Sequence, residues 1–203
     1  MAFSGSLHLR FGPMTSGKTT WLNEQLGKYS ESGMKCLKVI SSKDTRGDTK
    51  GSTHNKSYSG LDEVITVRRV ETLEIVATFA DAFDVIGVDE AQFFPDLYDI
   101  VKFWVEAGEF SKHVLVVGLD GDFERKPFGD IFQLIPLADS VEKINAVCTL
   151  CTKKYKGSYY SNPLNLEAPF TMRTIENKEQ VLIGGSEKYK ACCRYHYLER
   201  SEK

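Results

Sequence analysis

Residues 7–22 read LHLRFGPMTSGKTTWL, and within them Gly12 to Thr19 spell G-x-x-x-x-G-K-[ST]. That spacing is the loop whose main-chain N–H groups cradle nucleotide phosphates, provided that a strand precedes it and a helix follows. Both conditions are met. Leu7, Leu9 and Phe11 alternate with polar residues up to Gly12-Pro13, the pattern of a strand ending in a turn. From Lys18 to about Ser30, Trp21, Leu22, Leu26 and Tyr29 recur at near-helical spacing. The residues Gly12, Pro13, Met14, Thr15, Ser16, Gly17, Lys18 and Thr19 are therefore expected to hold phosphates. Lys18 would reach the terminal ones and the Thr19 hydroxyl would ligate Mg²⁺.

Outward from this loop, KCLKVIS (35–41) reads as a second strand, EVITV (63–67) as a third, and TLEIVATFADAF (72–83) as an amphipathic helix. DVIGVDE (84–90) reads as a buried strand, 97–108 as a helix and HVLVVGLDG (113–121) as a further apolar strand. Continuously apolar strands alternating with helices predict an α/β fold with a parallel sheet covered on both faces. The composition shifts near residue 145, which predicts a nucleotide-binding unit over 1–145 and a cysteine- and tyrosine-rich unit over 146–203.

VIGVDE ends a strand in two acids, at the sheet edge where open α/β folds bind ligands. Asp89 is expected to hold Mg²⁺. Glu90 is placed to take a proton from water, as in a hydrolase, or from a substrate hydroxyl, as in a kinase.

Cys148-x-x-Cys151 and Cys193-x-x-His196 are two ligand pairs suited to a closed tetrahedral Zn²⁺ site, and Cys192 offers a second register. In LDGDFERKPFG (119–129), Phe123 and Phe128 offer faces on which a planar base can stack. The 203 residues carry a formal net charge of -2. That is not the basic footprint of a nucleic-acid binder, and no apolar run is long enough to span a bilayer. The expectation is an intracellular, cytoplasmic protein with reduced cysteines, free of nucleic acid and membrane.

Taken in order, GPMTSGKTT, KDTR followed by TH, DEAQFFPD, LDGDFERKPFG, the Cys-x-x-Cys pair, IGGSEKY and CCRYH resemble the type II thymidine kinases. The resemblance runs from about residue 7 to 198. It implies a P-loop core similar to RecA and a zinc-stapled lasso closing over a nucleoside. By that resemblance Asp44, Thr45 and Arg46 lie near the phosphates, Asp89 and Gln92 belong to the acidic motif, and Glu90 is the general base. Phe93, Phe123 and Phe128 would wall the thymine, with Thr171 low in the pocket. Gln180, Val181, Leu182, Ile183 and Gly184, with Tyr189, would form the lasso that binds the base through its main chain. Cys148, Cys151, Cys193 and His196 would hold the zinc.

The implied reaction is transfer of the γ-phosphate of ATP to the 5′-hydroxyl of thymidine, with deoxyuridine as a secondary substrate. A homotetramer and feedback binding of dTTP are also implied. Arg46 or Arg125 would stabilise the transferring group. The rival expectation is a P-loop ATPase that acts on DNA through a zinc ribbon, with Glu90 activating water.

Overall fold

The computed structural model describes residues 5–44, 65–154 and 166–201. A six-stranded, wholly parallel sheet runs in the order β3-β2-β4-β5-β1-β6. Its strands are β1 (Ser6–Phe11), β2 (Cys36–Ser41), β3 (Thr66–Val70), β4 (Val85–Asp89), β5 (His113–Gly118) and β6 (Ser140–Lys143). Every residue of β4 is buried, as a strand covered on both faces requires.

Helix α1 (Lys18–Glu31) lays Leu22 and Leu26, one turn apart, onto one face of the sheet. Gly87 in β4 makes the approach possible, because a Cβ there would sit 2.8 Å from Leu26 Cδ1 and 2.9 Å from Leu22 Cδ1. Helix α3 (Leu97–Glu106) covers the other face with Leu97, Val101 and Trp104, spaced at helical period.

Three expected elements differ from the structure. The third strand lies at Thr66–Val70 rather than 63–67, paired to β2 from Leu37↔Thr66 to Ser41↔Val70. It takes in Arg68 and Arg69, charges that an edge strand accommodates on its exposed side. The helix expected over 72–83 breaks into α2 (Glu74–Ala77) and a 3₁₀ turn at Ala80–Ala82. The Thr78 hydroxyl donates to the Ile75 carbonyl (2.8 Å), and the Phe79 N–H turns to Val76 O (3.0 Å), so the i→i+4 ladder stops there. β5 ends at Gly118 because the next N–H, that of Leu119, leaves the ladder for the Gln92 side chain (2.9 Å).

Beyond the sheet lie two small antiparallel pairs, β7 (Ala146–Val147) with β8 (Glu167–Ala168) and β9 (Phe170–Arg173) with β10 (Tyr189–Cys192). Helices α4 (Thr149–Lys154) and α5 (Arg194–Ser201) flank them. These elements share a separate core cluster of Ala146, Cys148, Cys151, Ala168, Met172, Ala191 and Cys192.

Candidate active site

β1 delivers the chain to the phosphate loop, where Thr15 (φ 60°) and Gly17 (φ 85°) take left-handed conformations. Such conformations turn successive N–H groups toward one point, and α1 begins at Lys18 with its positive dipole end at the loop. Lys18 is buried; its Nζ donates to the carbonyls of Gly12 (3.0 Å) and Pro13 (2.6 Å). The Thr19 hydroxyl donates to Asp89 Oδ1 (3.1 Å), which also accepts from the Glu90 N–H (3.0 Å). Lys38 Nζ lies 3.1 Å from Asp89 Oδ2. A hydroxyl and a carboxylate side by side are the hard oxygen donors that Mg²⁺ takes.

Glu90 follows Asp89 with φ 53°, an uncommon conformation for a non-glycine residue. It is buried, and Gln92 Nε2 donates to its Oε2 (2.6 Å). Gln92 Oε1 is held in turn by the Leu119 N–H, so the amide orientation follows from the network.

Glu90 stands on the wall of a cavity. Phe93 and Phe128, in edge-to-face contact with centroids 5.6 Å apart, form part of the same wall with Phe123. Met14 from the phosphate loop reaches this wall too, and its N–H donates to the Thr171 hydroxyl of β9 (3.0 Å). Opposite lie Gln180, Val181, Leu182, Ile183, Gly184 and Tyr189. The loop and acidic strand therefore meet the segment after β9 around one cavity.

Cys148, Cys151, Cys193 and His196 bring their ligand atoms within 4.8 Å of one another. His196 Nδ1 lies 3.5, 3.4 and 3.3 Å from the sulfurs of Cys148, Cys151 and Cys193, and Cys151 Sγ lies 3.7 Å from Cys193 Sγ. A tetrahedron with Zn–S of about 2.3 Å and Zn–N of about 2.0 Å has edges of roughly 3.5–3.8 Å, so the donor set fits zinc. The register follows: Cys193 joins the cluster, whereas Cys192 is buried at the end of β10 among apolar neighbours. Burial, with Cys148 and Cys193 adding, pushes the Cys151 thiol up to about 12. Burial alone would also raise Cys148, but main-chain hydrogen bonds from Cys151 and Cys193 bring it down to about 7.

Asp44, expected near the phosphates, is buried three residues beyond β2, its carbonyl accepting from Arg69. Thr45 and Arg46 lie outside the described residues. Four lining residues escaped the sequence reading: Leu119, Gly121, Asp122 and Arg173. Asp122 sits inside the quoted LDGDF stretch, and Arg173 shares the strand face of Thr171 by period two. Lys38 was also missed, although a lysine inside the apolar run CLKVIS needs a counter-charge.

A family model described as "Thymidine kinase" matches residues 5–197. The thymidine kinase of Myxoma virus (strain Uriarra) is 37% identical over 196 residues, covering 97% of this chain and 98% of that protein. The cytosolic thymidine kinase of Gallus gallus is 39% identical over 197 residues, covering 97% of this chain and 78% of that one. The cytosolic thymidine kinase of Homo sapiens is 36% identical over 197 residues, with 97% and 75% covered.

Proposed function

Because the chain belongs to the thymidine kinase family, we infer that ATP binds at the phosphate loop and that thymidine occupies the cavity beside Glu90. The chain is a kinase that phosphorylates thymidine, passing the γ-phosphoryl group of ATP to the 5′-hydroxyl to give dTMP. The reading as a DNA-acting ATPase is not favoured.

One observation carries the residue-level route. Buried Glu90 lines the cavity and is one peptide away from Asp89, which is hydrogen-bonded to Thr19 of the phosphate loop. Glu90 takes the proton from the 5′-hydroxyl as that oxygen attacks the γ-phosphorus in line. Lys18 and the loop N–H groups hold the phosphates of ATP. Thr19 and Asp89 would hold Mg²⁺, which would supply charge neutralisation on the phosphate oxygens. Positioning does most of the catalysis, since phosphoryl transfer needs little covalent help.

Phe93, Phe123 and Phe128 stack on the thymine, and residues 180–184 read its edge through the main chain above Thr171. Cys148, Cys151, Cys193 and His196 hold a structural Zn²⁺, because a four-ligand set leaves no open position for substrate. Arg125 stacks on Tyr197, its guanidinium 4.3 Å from that ring, which favours Arg46 as the residue that meets the transferring group. Asp44 and Thr45, with that arginine, lie near the phosphates.

The working protein is a cytoplasmic homotetramer inhibited by dTTP, divided near residue 145 into kinase core and lasso unit. Supporting a place outside the membrane, no helix among the described residues is long and apolar enough to cross one.

The test is product analysis by mass spectrometry after incubation with ATP, Mg²⁺ and an equimolar nucleoside panel, with Glu90→Gln in parallel. Thymidine monophosphate as the main product, with deoxyuridine monophosphate second and both lost in the variant, is the expected result. ADP and free phosphate without any nucleoside monophosphate would overturn it.

A further inference from the structure

The segment from Thr174 to Lys188, which walls the cavity opposite the sheet, contains no helix or strand. Main-chain bonds close its base, from the Thr174 N–H to Lys188 O (2.7 Å) and from the Lys188 and Tyr189 N–H groups to Gly185 O (3.1 and 3.0 Å), and over the rest one side chain dominates. Arg173, at the end of β9, is 4% exposed. Its guanidinium donates to the carbonyls of Asn177 (2.9 Å), Glu179 (2.6 Å) and Gln180 (3.2 Å) and to the Tyr189 hydroxyl (2.8 Å). That hydroxyl donates in turn to the Leu182 carbonyl (2.7 Å). The guanidinium carbon also lies 3.8 Å from the centroid of the Phe123 ring. Phe123 is tethered from behind, since its carbonyl accepts from the Tyr197 hydroxyl (2.8 Å).

We propose that Arg173 is the positioning residue of the nucleoside pocket: it gathers the carbonyls of Asn177, Glu179 and Gln180 and, through Tyr189, that of Leu182 into one fixed arc and holds that arc against the Phe123 face. The wall that reads the base edge and the ring that stacks on the base are thus one preorganised unit. This rests on the reading of the cavity as the thymidine site.

The main-chain groups of the segment support it. Arg173, Tyr189 and Lys188, whose Nζ donates to Ile183 O (2.7 Å), occupy the carbonyls of Asn177, Glu179, Gln180, Leu182 and Ile183. Among the described residues, the N–H groups of Gln180 to Gly184 make no hydrogen bond. With the carbonyls of Gln180, Leu182 and Ile183 engaged and the N–H groups left over, this stretch offers hydrogen-bond donors to a ligand rich in carbonyl oxygens, as thymine is. Only a planar fork of N–H groups spans several carbonyls and a ring face at once, and an ammonium does not.

The test compares wild type, Arg173→Lys, Arg173→Gln and Tyr189→Phe as full, zinc-loaded chains. Zinc content and circular dichroism establish which variants fold. For the arginine variants the thymidine KM is expected to rise about tenfold or more, with the ATP KM within about twofold and kcat falling less than the thymidine KM rises. Lysine restores only part of the loss. Deuterium uptake over 177–184 accelerates while uptake in α1 stays as in wild type.

Tyr189→Phe keeps the charge and removes one member of the arc, so a smaller shift in the same direction is expected. It decides the matter if the arginine variants do not fold. An unchanged thymidine KM in a folded variant, or equal rises in both KM values, overturns the proposal. If wild type forms no thymidine monophosphate, the reading of the cavity fails instead. Deuterium uptake, which needs no substrate, then still decides whether Arg173 orders the segment: unchanged uptake over 177–184 overturns the proposal.

Discussion

The Nζ of Lys38 lies 3.1 Å from Oδ2 of Asp89 and 2.8 Å from Oδ1 of Asn23, with the two charged side chains 11% and 7% exposed. A carboxylate this dry is tolerable only beside a cation. Replacing Lys38 by Met leaves the Asp89 charge uncompensated and should cost about 3–5 kcal/mol of folding stability. ATP with Mg²⁺ then returns positive charge to the same carboxylate, so it should stabilise the variant more than it stabilises wild type. Urea unfolding with and without ATP and Mg²⁺ measures both. A loss under about 1 kcal/mol, or equal stabilisation by the ligand, would mean that the ion pair is not holding Asp89.

Glu90→Gln keeps an acceptor for the Gln92 amide, whose Nε2 now donates to Glu90 Oε2 at 2.6 Å, so the fold and both binding sites should survive. The lost function is proton acceptance, which is worth roughly 10²–10⁴ in kcat. Steady-state kinetics should therefore show kcat falling with both KM values near those of wild type. A variant retaining more than about a tenth of kcat would remove Glu90 from the role of base.

Zinc removal should damage thymidine binding far more than ATP binding. With zinc bound, the four ligands would hold α4 and α5 to the β9–β10 hairpin, and Tyr197, next to His196, donates to the Phe123 carbonyl. The phosphate loop meets that unit through the Met14–Thr171 hydrogen bond. Titration with a chelator, followed by isothermal calorimetry for each substrate, separates the two affinities. Parallel loss of both would show that the metal supports the whole chain.

Cys36 provides a pH signature remote from the chemistry. Burial, with Asp84 adding, pushes its thiol up from 9.0 to about 11. The folded state thus keeps the proton that the unfolded chain gives up. Its contribution to stability is complete below pH 9 and disappears as pH rises toward about 11, about 3 kcal/mol in all. The stability difference between wild type and Cys36→Ala, followed by urea unfolding from pH 8 to 11, should narrow across that window. A constant difference would contradict it.

Much of the site was legible because its signals are local. The phosphate loop announces itself by glycines and a Lys-Thr pair between a strand and a helix, and the metal donors by two short pairs. Lys38 and Arg173 were not legible for one shared reason. Each is a charged residue in a strand whose partners are set by the three-dimensional fold: Asp89 lies two strands' worth of sequence away, and Phe123 belongs to the loop after β5. The break at Thr78 was hidden too, because Leu73, Val76 and Ala80 satisfy a helical period whether or not the backbone is continuous. The side-chain hydroxyl, which periodicity ignores, decided the outcome.

The strand order has a consequence for biosynthesis. β1 carries the phosphate loop, yet its two neighbours are β5 and β6, which register Ser6 against His113 and His8 against Ser140. A ribosome adding roughly 5–20 residues per second delivers those neighbours many seconds after the loop itself has emerged. Through that interval the glycine loop exists as sequence without a sheet to shape it, while β2, β3 and β4 can pair with one another. The Gly12–Thr19 loop therefore gains its full frame only late in synthesis, and a product truncated before Lys143 carries that loop without the complete sheet.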